Sequence, residues 1–474
     1  MGLGTVFDEA RLAALNIADR AGAIAAPTVR LGVTGLARAG KTVFITALVH
    51  NLLSGGRLPL LQASASGRIA AATLDPQPDD AVPRFDYEAH IKRMVTAREW
   101  PDSTKRIAEL RVTIAFESAS PIARALGRNR LHLDIVDYPG EWLLDLPLLA
   151  KDFATWSRET LARARRSALP AATAWLARLD ALPRAAGADE TTARDLAGMF
   201  TAYLQESRNA ASPALLAPGR FLAPGDLEGS PALTFSPLPA AEGGLAAMMA
   251  HRYEAYKWHV VRPFFRDHFA RLDRQIVLVD ALSALNAGPD ALADLETGLA
   301  EILAAFRTGR AAWWSALFRR RITRLLIAAN KADHLHHGDH DRLERTLAHL
   351  LRSAIVSAEG GGAEVDVLAL ASVRSTREAH VVKDGTRLPA VIGTPIAGGT
   401  VGGRSFPGST EIALFPGDLP DDPQQLLAGG EAPPPRFLAF RPPPLETDAS
   451  GTARSLPHIR LDRALEFLIG DYLK

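Results

Sequence analysis

Apolar and polar positions along this chain follow two rhythms. Short apolar-rich runs stand at 29–33, 109–116, 131–136, 275–280, 324–329 and 365–370, and they read as strands. Residues 43–53, 289–306 and 341–357 carry apolar side chains at helical spacing between those runs. Strands alternating with helices predict an α/β fold with a mostly parallel sheet and helices on both faces. Residues 7–23 predict a further helix with Asp8 as N-cap, and 461–473 an amphipathic helix packing back on the sheet.

Two stretches break the alternation. Residues 143–272 are rich in Ala, Leu and Arg at helical spacing, interrupted by Pro and Gly at 212–244, and predict a mainly helical insertion. Residues 384–455, with Pro433–Pro435 and Pro442–Pro444, predict extended or irregular structure with short hairpins rather than a second core. The expected order is 1–142 as the first part of an α/β core, 143–272 as the helical insertion and 273–383 as the second part of the core. The Pro/Gly-rich insertion 384–455 and a terminal helix in 456–474 complete it. A chain of 474 residues needs two or three lobes, or one core with large insertions.

Composition narrows the classes. Hydrophobic residues make up 47%, enough for a folded interior. The formal net charge of +1 implies no global attraction to nucleic acid or anionic lipid, so no nucleic-acid partner is expected. The absence of cysteine excludes disulfides, thiolate metal sites and cysteine nucleophiles. Residues 1–20 carry acidic groups and no basic region before an apolar stretch, so no secretory signal is expected. No run is long and apolar enough to predict a transmembrane segment, and the expected location is cytoplasmic.

Candidate chemistry sits where the strands end. Gly35-Leu36-Ala37-Arg38-Ala39-Gly40-Lys41-Thr42 is a complete GxxxxGK[ST] loop between a strand and a helix, a P-loop NTPase signature. Its glycines let backbone N–H groups turn inward to phosphate, Lys41 places a charge between the terminal phosphates, and Thr42 would ligate Mg²⁺. The phosphate-side candidates are therefore Gly35, Ala37, Arg38, Ala39, Gly40, Lys41, Thr42 and Val43. Asp137-Tyr138-Pro139-Gly140 follows strand 131–136 as a DxxG element: Asp137 can hold a water on Mg²⁺, and the Gly140 N–H can meet the γ-phosphate. A strand-ending turn is the plain alternative.

Asn330-Lys331-Ala332-Asp333 follows strand 324–329. Asp333 can accept two hydrogen bonds from guanine, through N1–H and the exocyclic amine, whereas adenine would leave a buried carboxylate unpaired. The Lys331 stem can lie on the base, and Asn330 can tie this loop to the phosphate loop. Ala371-Ser372-Val373 follows strand 365–370, where the backbone at Ser372 and Val373 could meet guanine O6. Thr104, with Ser103 as rival, stands as a switch hydroxyl on Mg²⁺, making Thr42, Thr104 and Asp137 the metal candidates. Lys41, Glu141 and Arg38 are the catalytic candidates, and GTP or GDP with Mg²⁺ the expected cofactors.

The motif order matches small GTPases, and three segments are more specific. Gly35 to Leu48, Asp137-Tyr138-Pro139-Gly140-Glu141-Trp142 and Phe415-Pro416-Gly417-Asp418-Leu419-Pro420 resemble the YcjX-like family of stress-associated P-loop GTP-binding proteins. The resemblance covers nearly the whole chain. It implies a small-GTPase-like core with a helical insertion, in a bacterial cytoplasmic protein of the stress response. It also implies a companion integral membrane protein, which would allow peripheral attachment at the inner membrane.

Some features depart from a standard GTPase. Glu141 occupies the position where efficient hydrolases carry a water-orienting glutamine, and a carboxylate there is repelled by the γ-phosphate, so slow turnover is expected. Arg38 could serve as an internal arginine finger, and Ala37 replaces a common glycine. His334, His336, His337 and His340 are read as a polar loop rather than a metal site. The aromatic, arginine-rich 313–321 is read as a packed helix, with membrane-surface contact as its rival. Three alternatives to a GTP switch stay open: an ATP-using P-loop NTPase, a GTP-stabilised scaffold that never cycles, and a membrane-surface adaptor.

Overall fold

The computed structural model describes residues 26–474 except 37, 105, 121–123, 125–128, 184, 210–216, 240–242, 306–321, 384, 402, 428–435, 450 and 452. The expectations for 7–23 and 313–321, and for Ala37 itself, lie outside the described residues. Seven strands form one sheet: β1 (Thr28–Gly35), β2 (Ile69–Asp75), β3 (Ala108–Phe116), β4 (Arg130–Asp137), β5 (Arg274–Val279), β6 (Arg324–Ala329) and β7 (Glu364–Ala369). Their spatial order is β2-β3-β4-β1-β5-β6-β7. Pairings from β4 to β7 are parallel, while β2–β3 and β3–β4 are antiparallel.

The central strands are buried on both faces, as a parallel sheet covered by helices requires. Side chains alternate between two cores. Ile276, Leu278, Leu326 and Ala328 join the interior with helix α1 (Lys41–Leu53) and the C-terminal helix Leu461–Ile469. Val277, Val279, Leu325 and Ile327 face the other interior. The insertion does not own a separate core. Its aromatic residues Trp156, Trp175, Phe200 and Tyr253 belong to the same continuous interior as that second sheet face. Trp156 stacks on Tyr253 with centroids 4.8 Å apart, and Trp175 stacks on Tyr203 at 5.6 Å.

Two elements carry no clear sequence signal. Strand β2, Ile-Ala-Ala-Ala-Thr-Leu-Asp, is a half-exposed edge of small residues without clean alternation. Helix α2 (Tyr87–Thr96) starts where the Asp86 carboxylate accepts from the Ala89 N–H. The expected helix 341–357 is two helices, His340–Leu350 and Arg352–Gly360, because Leu351 leaves helical geometry between them. The Pro/Gly-rich region is more ordered than expected. Strands β8 (Arg377–Lys383), β9 (Thr386–Gly393) and Ile412–Leu414 form a small antiparallel sheet, with Val391, Leu438 and Phe440 as its apolar kernel.

β1 lies between β4 and β5, the place where the chain reverses the direction in which it adds strands. A crevice outside the carboxyl ends of the strands opens at such a switch point. The loops after β1, β4, β6 and β7 all emerge there.

Candidate functional site

The phosphate loop leaves β1 at Gly35 and enters α1 at Lys41. Gly40, with φ +88°, caps the helix. A Cβ there would lie 2.5 Å from Asn330 Nδ2, so glycine is needed for space as well as for backbone conformation. Arg38 is exposed in a left-handed conformation, φ +65°, and lines the cavity. Lys41 Nζ donates to the Gly35 carbonyl at 2.9 Å. Burial lowers the Lys41 pKa, while Asp137 and Glu141 pull it back up.

Beside Lys41 three oxygen ligands converge. The Thr42 and Thr104 hydroxyls are 3.2 Å apart, and Thr104 donates to Asp137 Oδ2 at 2.5 Å. Thr104, not Ser103, is the hydroxyl that meets both. Asp137 Oδ1 is buried with no partner among the described residues. Burial pushes the Asp137 carboxyl up to about 6, against Lys41 and the Thr104 hydrogen bond. An all-oxygen donor set with one orphaned buried acceptor fits a hard divalent cation such as Mg²⁺. Gly140 presses against the phosphate loop, where a Cβ would lie 2.2 Å from the Gly35 carbonyl and 2.8 Å from Lys41 Nζ.

The part of the site that carries the NKxD motif is assembled from the loops after β6 and β7. Asn330 Nδ2 donates to the Ala39 carbonyl at 2.8 Å. Asn330 Oδ1 accepts from the Ser372 N–H at 3.2 Å and lies 3.1 Å from the Ser372 hydroxyl. Ser372 thus steadies Asn330, and its N–H is already used rather than offered to guanine O6. Val373 is buried and lines the cavity. Lys331, in a left-handed conformation, is held by Asp280 at 2.5 Å. Asp333 Oδ2 accepts from the Ser375 N–H at 2.8 Å and from its hydroxyl at 2.5 Å.

Lys41, Thr42, Val43, Thr104, Glu141, Asn330, Lys331 and Asp333 all line one cavity of about 330 Å³. Its size is that of a small-molecule site. Asp280, Ser375 and the aromatic pair Trp100 and Phe440 were not expected from the sequence. Asp280 does follow β5 directly, but a lone aspartate after a strand carries no motif.

Glu141 opens a 3₁₀ segment, Gly140–Ala150, that the helical insertion grips. Arg208, near the end of the insertion helix Glu190–Asn209, approaches Glu141 at 3.9 Å. Trp142 Nε1 donates to the Ala223 carbonyl at 2.8 Å, and the Arg220 guanidinium lies 3.1 Å from a Trp142 ring centroid. Asp145 accepts from the Gly219 N–H at 2.7 Å and from the Tyr256 hydroxyl at 2.7 Å.

The histidines after Asp333 divide. His340 Nε2 meets the Ala332 carbonyl at 3.0 Å, and His334 packs on Phe440. His336 and His337 face Glu378, with ligand atoms of the three within 4.8 Å of one another. No helix among the described residues is long and apolar enough to cross a membrane.

Sheet order, the phosphate loop at the switch point and the crevice beside it define the P-loop NTPase class of α/β protein. Within that class the chain belongs to the YcjX-like family, DUF463, which it matches over residues 29–473. It is 37% identical to a protein of Escherichia coli (strain K12) named Ras-like GTPase YcjX, over 94% of this chain and 96% of that one. A protein of the same name from Shewanella oneidensis is 33% identical over 94% and 95%.

Proposed function

We propose that this chain is a Mg²⁺-dependent guanine-nucleotide switch that hydrolyses GTP slowly. The observation that carries the reading is the shared cavity: Lys41 and Asp333 both line it, and the Asn330–Ala39 hydrogen bond joins their two loops. The names of the two relatives support it. The loop amides and Lys41 would hold the β- and γ-phosphates at the start of α1, where the helix dipole favours anions. Asp333 would accept from guanine N1–H and N2–H, with Lys331 held over the base by Asp280.

Thr42 and Thr104 would hold Mg²⁺ directly and Asp137 through water. The ion, when bound, neutralises charge that develops on the phosphates. Gly140 would place its N–H on the γ-phosphate, and Arg38, reaching the cavity from the loop, would add positive charge there. Glu141 is the reason for slow turnover, because it brings negative charge where water must be oriented. Arg208 offsets part of that charge. We infer a cytoplasmic stress-response setting, with an integral membrane companion, from the family resemblance alone.

The test begins with nucleotide released from the purified protein by denaturation and identified by mass. Titration should then give tighter binding of GTP and GDP than of ATP and ADP, and Lys41→Ala should lose both. Equal affinity for adenine nucleotides would remove the guanine reading and favour an ATP-using enzyme. Absence of phosphate release in a single turnover would favour the non-cycling scaffold.

A further inference from the structure

One side of the cavity comes from outside the nucleotide motifs. Trp100, Ile396, Ala439 and Phe440 line it together with the phosphate loop and the Asn330–Asp333 loop. The last three belong to the Pro/Gly-rich region. Residues 394–396 and 439–441 run antiparallel there: the Ile396 N–H donates to the Ala439 carbonyl at 2.9 Å, and the Arg441 N–H to Thr394 at 2.8 Å.

This pair of segments is fastened at both ends. Inward, the Phe440 ring is 1% exposed and meets His334, the neighbour of Asp333, edge-on at 5.4 Å. It also fills the space over Gly393, where a Cβ would lie 2.7 Å from the ring. Outward, it clasps the segment that leads to Thr104. Trp100 Nε1 donates to the Phe440 carbonyl at 2.7 Å. The Arg441 guanidinium donates to the carbonyls of Ala97 at 3.0 Å and Arg98 at 3.2 Å, and Arg98 Nε returns a bond to Pro442 at 3.1 Å. Ile396 nevertheless keeps 38% of its surface exposed, one of few large apolar residues to do so among those described.

An exposed apolar side chain and an indole in a cavity that is also lined by Lys41, Thr42 and Asp333 suit a ligand whose faces are apolar and whose edges are polar. A purine nucleoside has that character. We propose that Trp100 and Ile396 form the apolar wall of the nucleoside subsite, and that the Arg441 clasp makes nucleotide release depend on freeing 97–104 from the C-terminal region. Thr104 lies four residues beyond Trp100, so one short segment reaches both the nucleoside wall and the Thr42–Asp137 cluster. Release from one end therefore loosens the other. This rests on the nucleotide-binding reading of the cavity, but not on the choice of guanine.

The experiment is displacement of a methylanthraniloyl nucleotide by excess unlabelled nucleotide in a stopped-flow fluorimeter, on the full chain. It uses the GDP analogue, or the ADP analogue if wild type retains that one instead. Arg441→Ala and Trp100→Phe should each speed dissociation, by about tenfold for the arginine, whose two contacts with the Ala97 and Arg98 carbonyls are worth about one decade; its third, with the Gly408 carbonyl, stays within the C-terminal region. Guanine-over-adenine preference should stay unchanged in both. Energy transfer from tryptophan to the bound label should fall in Trp100→Phe and persist in Trp258→Phe, whose indole is exposed and outside the cavity. If Arg441→Ala fails to fold, Trp100→Phe and its energy transfer carry the test. Dissociation rates within twofold of wild type in every folded variant would overturn the wall and clasp while leaving nucleotide binding intact. Wild type that retains neither nucleotide would overturn both.

Discussion

Asn330 Nδ2 hydrogen-bonds the Ala39 carbonyl at 2.8 Å, joining loops that lie 291 residues apart in the chain. The contact is buried, and Gly40 leaves the room for it. It fixes the distance between the GxxxxGKT loop and the loop that carries Asp333, a distance that the nucleotide proposed for this cavity would have to match.

Asn330→Ala should therefore weaken GDP binding while leaving the sheet intact. The substitution removes one buried hydrogen bond and strands the Ala39 carbonyl, a cost of about 1–3 kcal/mol, or roughly ten- to a hundredfold in affinity. Calorimetric titration with GDP measures it, with circular dichroism as the control for folding. Unchanged affinity would mean that the two loops are positioned independently.

Asp333→Ala should narrow the preference for guanine over adenine nucleotides, mainly by weakening GDP. The charged hydrogen bonds it removes are worth about 3 kcal/mol together, or roughly a hundredfold. Because Ser375 also loses its acceptor, Ser375→Ala is the companion variant and should cost only a few-fold. Competition between labelled GDP and unlabelled ADP distinguishes the two.

On the proposed reading, in which the γ-phosphate lies beside Glu141, Glu141→Gln should raise single-turnover phosphate release by about tenfold, since it removes a negative charge there and supplies a group that can orient water. Arg208→Ala should act in the opposite direction, leaving the Glu141 charge uncompensated. Equal rates in wild type and Glu141→Gln would show that Glu141 does not limit hydrolysis.

The insertion's hold on the 3₁₀ segment can be tested at one atom. A Cβ on Gly219 would fall 1.6 Å from the Glu141 carbonyl, too close for any rotamer to relieve. Gly219→Ala should cost about 2–4 kcal/mol of stability through forced backbone movement, visible as a lowered denaturation midpoint. A midpoint equal to wild type would mean that the loop around Gly219 shifts freely.

Burial against Tyr138 and Phe264 lowers the His268 pKa to about 4. A base whose folded value lies below its unfolded value, 6.5 here, favours the neutral form in the folded chain. Its contribution is complete above pH 6.5 and is lost as pH falls from there towards 4. Denaturation at several pH values should show His268→Phe less destabilised by acid than wild type, by at most about 3 kcal/mol. Parallel pH profiles would rule out a half-buried histidine held neutral.

Much of the fold was open to reading from residues in order. The six expected strands appear within a residue or two of their apolar runs; β1, β4, β5 and β6 are interior strands covered on both faces and so must be mostly apolar. β2 escaped because an edge strand of alanines buries too little to need a pattern. The GxxxxGKT, DxxG and NKxD motifs were legible for a related reason: each follows directly from a strand end, so local order in the chain reports position at the crevice. Trp100, Ile396 and Phe440 had no such marker. They come together through pairing of 394–396 with 439–441 and through indole– and arginine–carbonyl contacts across 340 or more residues, and composition in 384–455 suggested only extended or irregular structure with short hairpins.

Local chemistry, then, was enough to place six of the seven sheet strands, the GxxxxGKT loop at the end of β1 and the NKxD loop at the end of β6, since glycine conformation and strand burial act over a few residues. Which hydroxyl joins Asp137, what holds Lys331, and what closes the apolar side of the cavity depended on contacts between distant segments. Such contacts are set by how the two cores and the C-terminal sheet pack together, and packing leaves no periodic trace in a single chain.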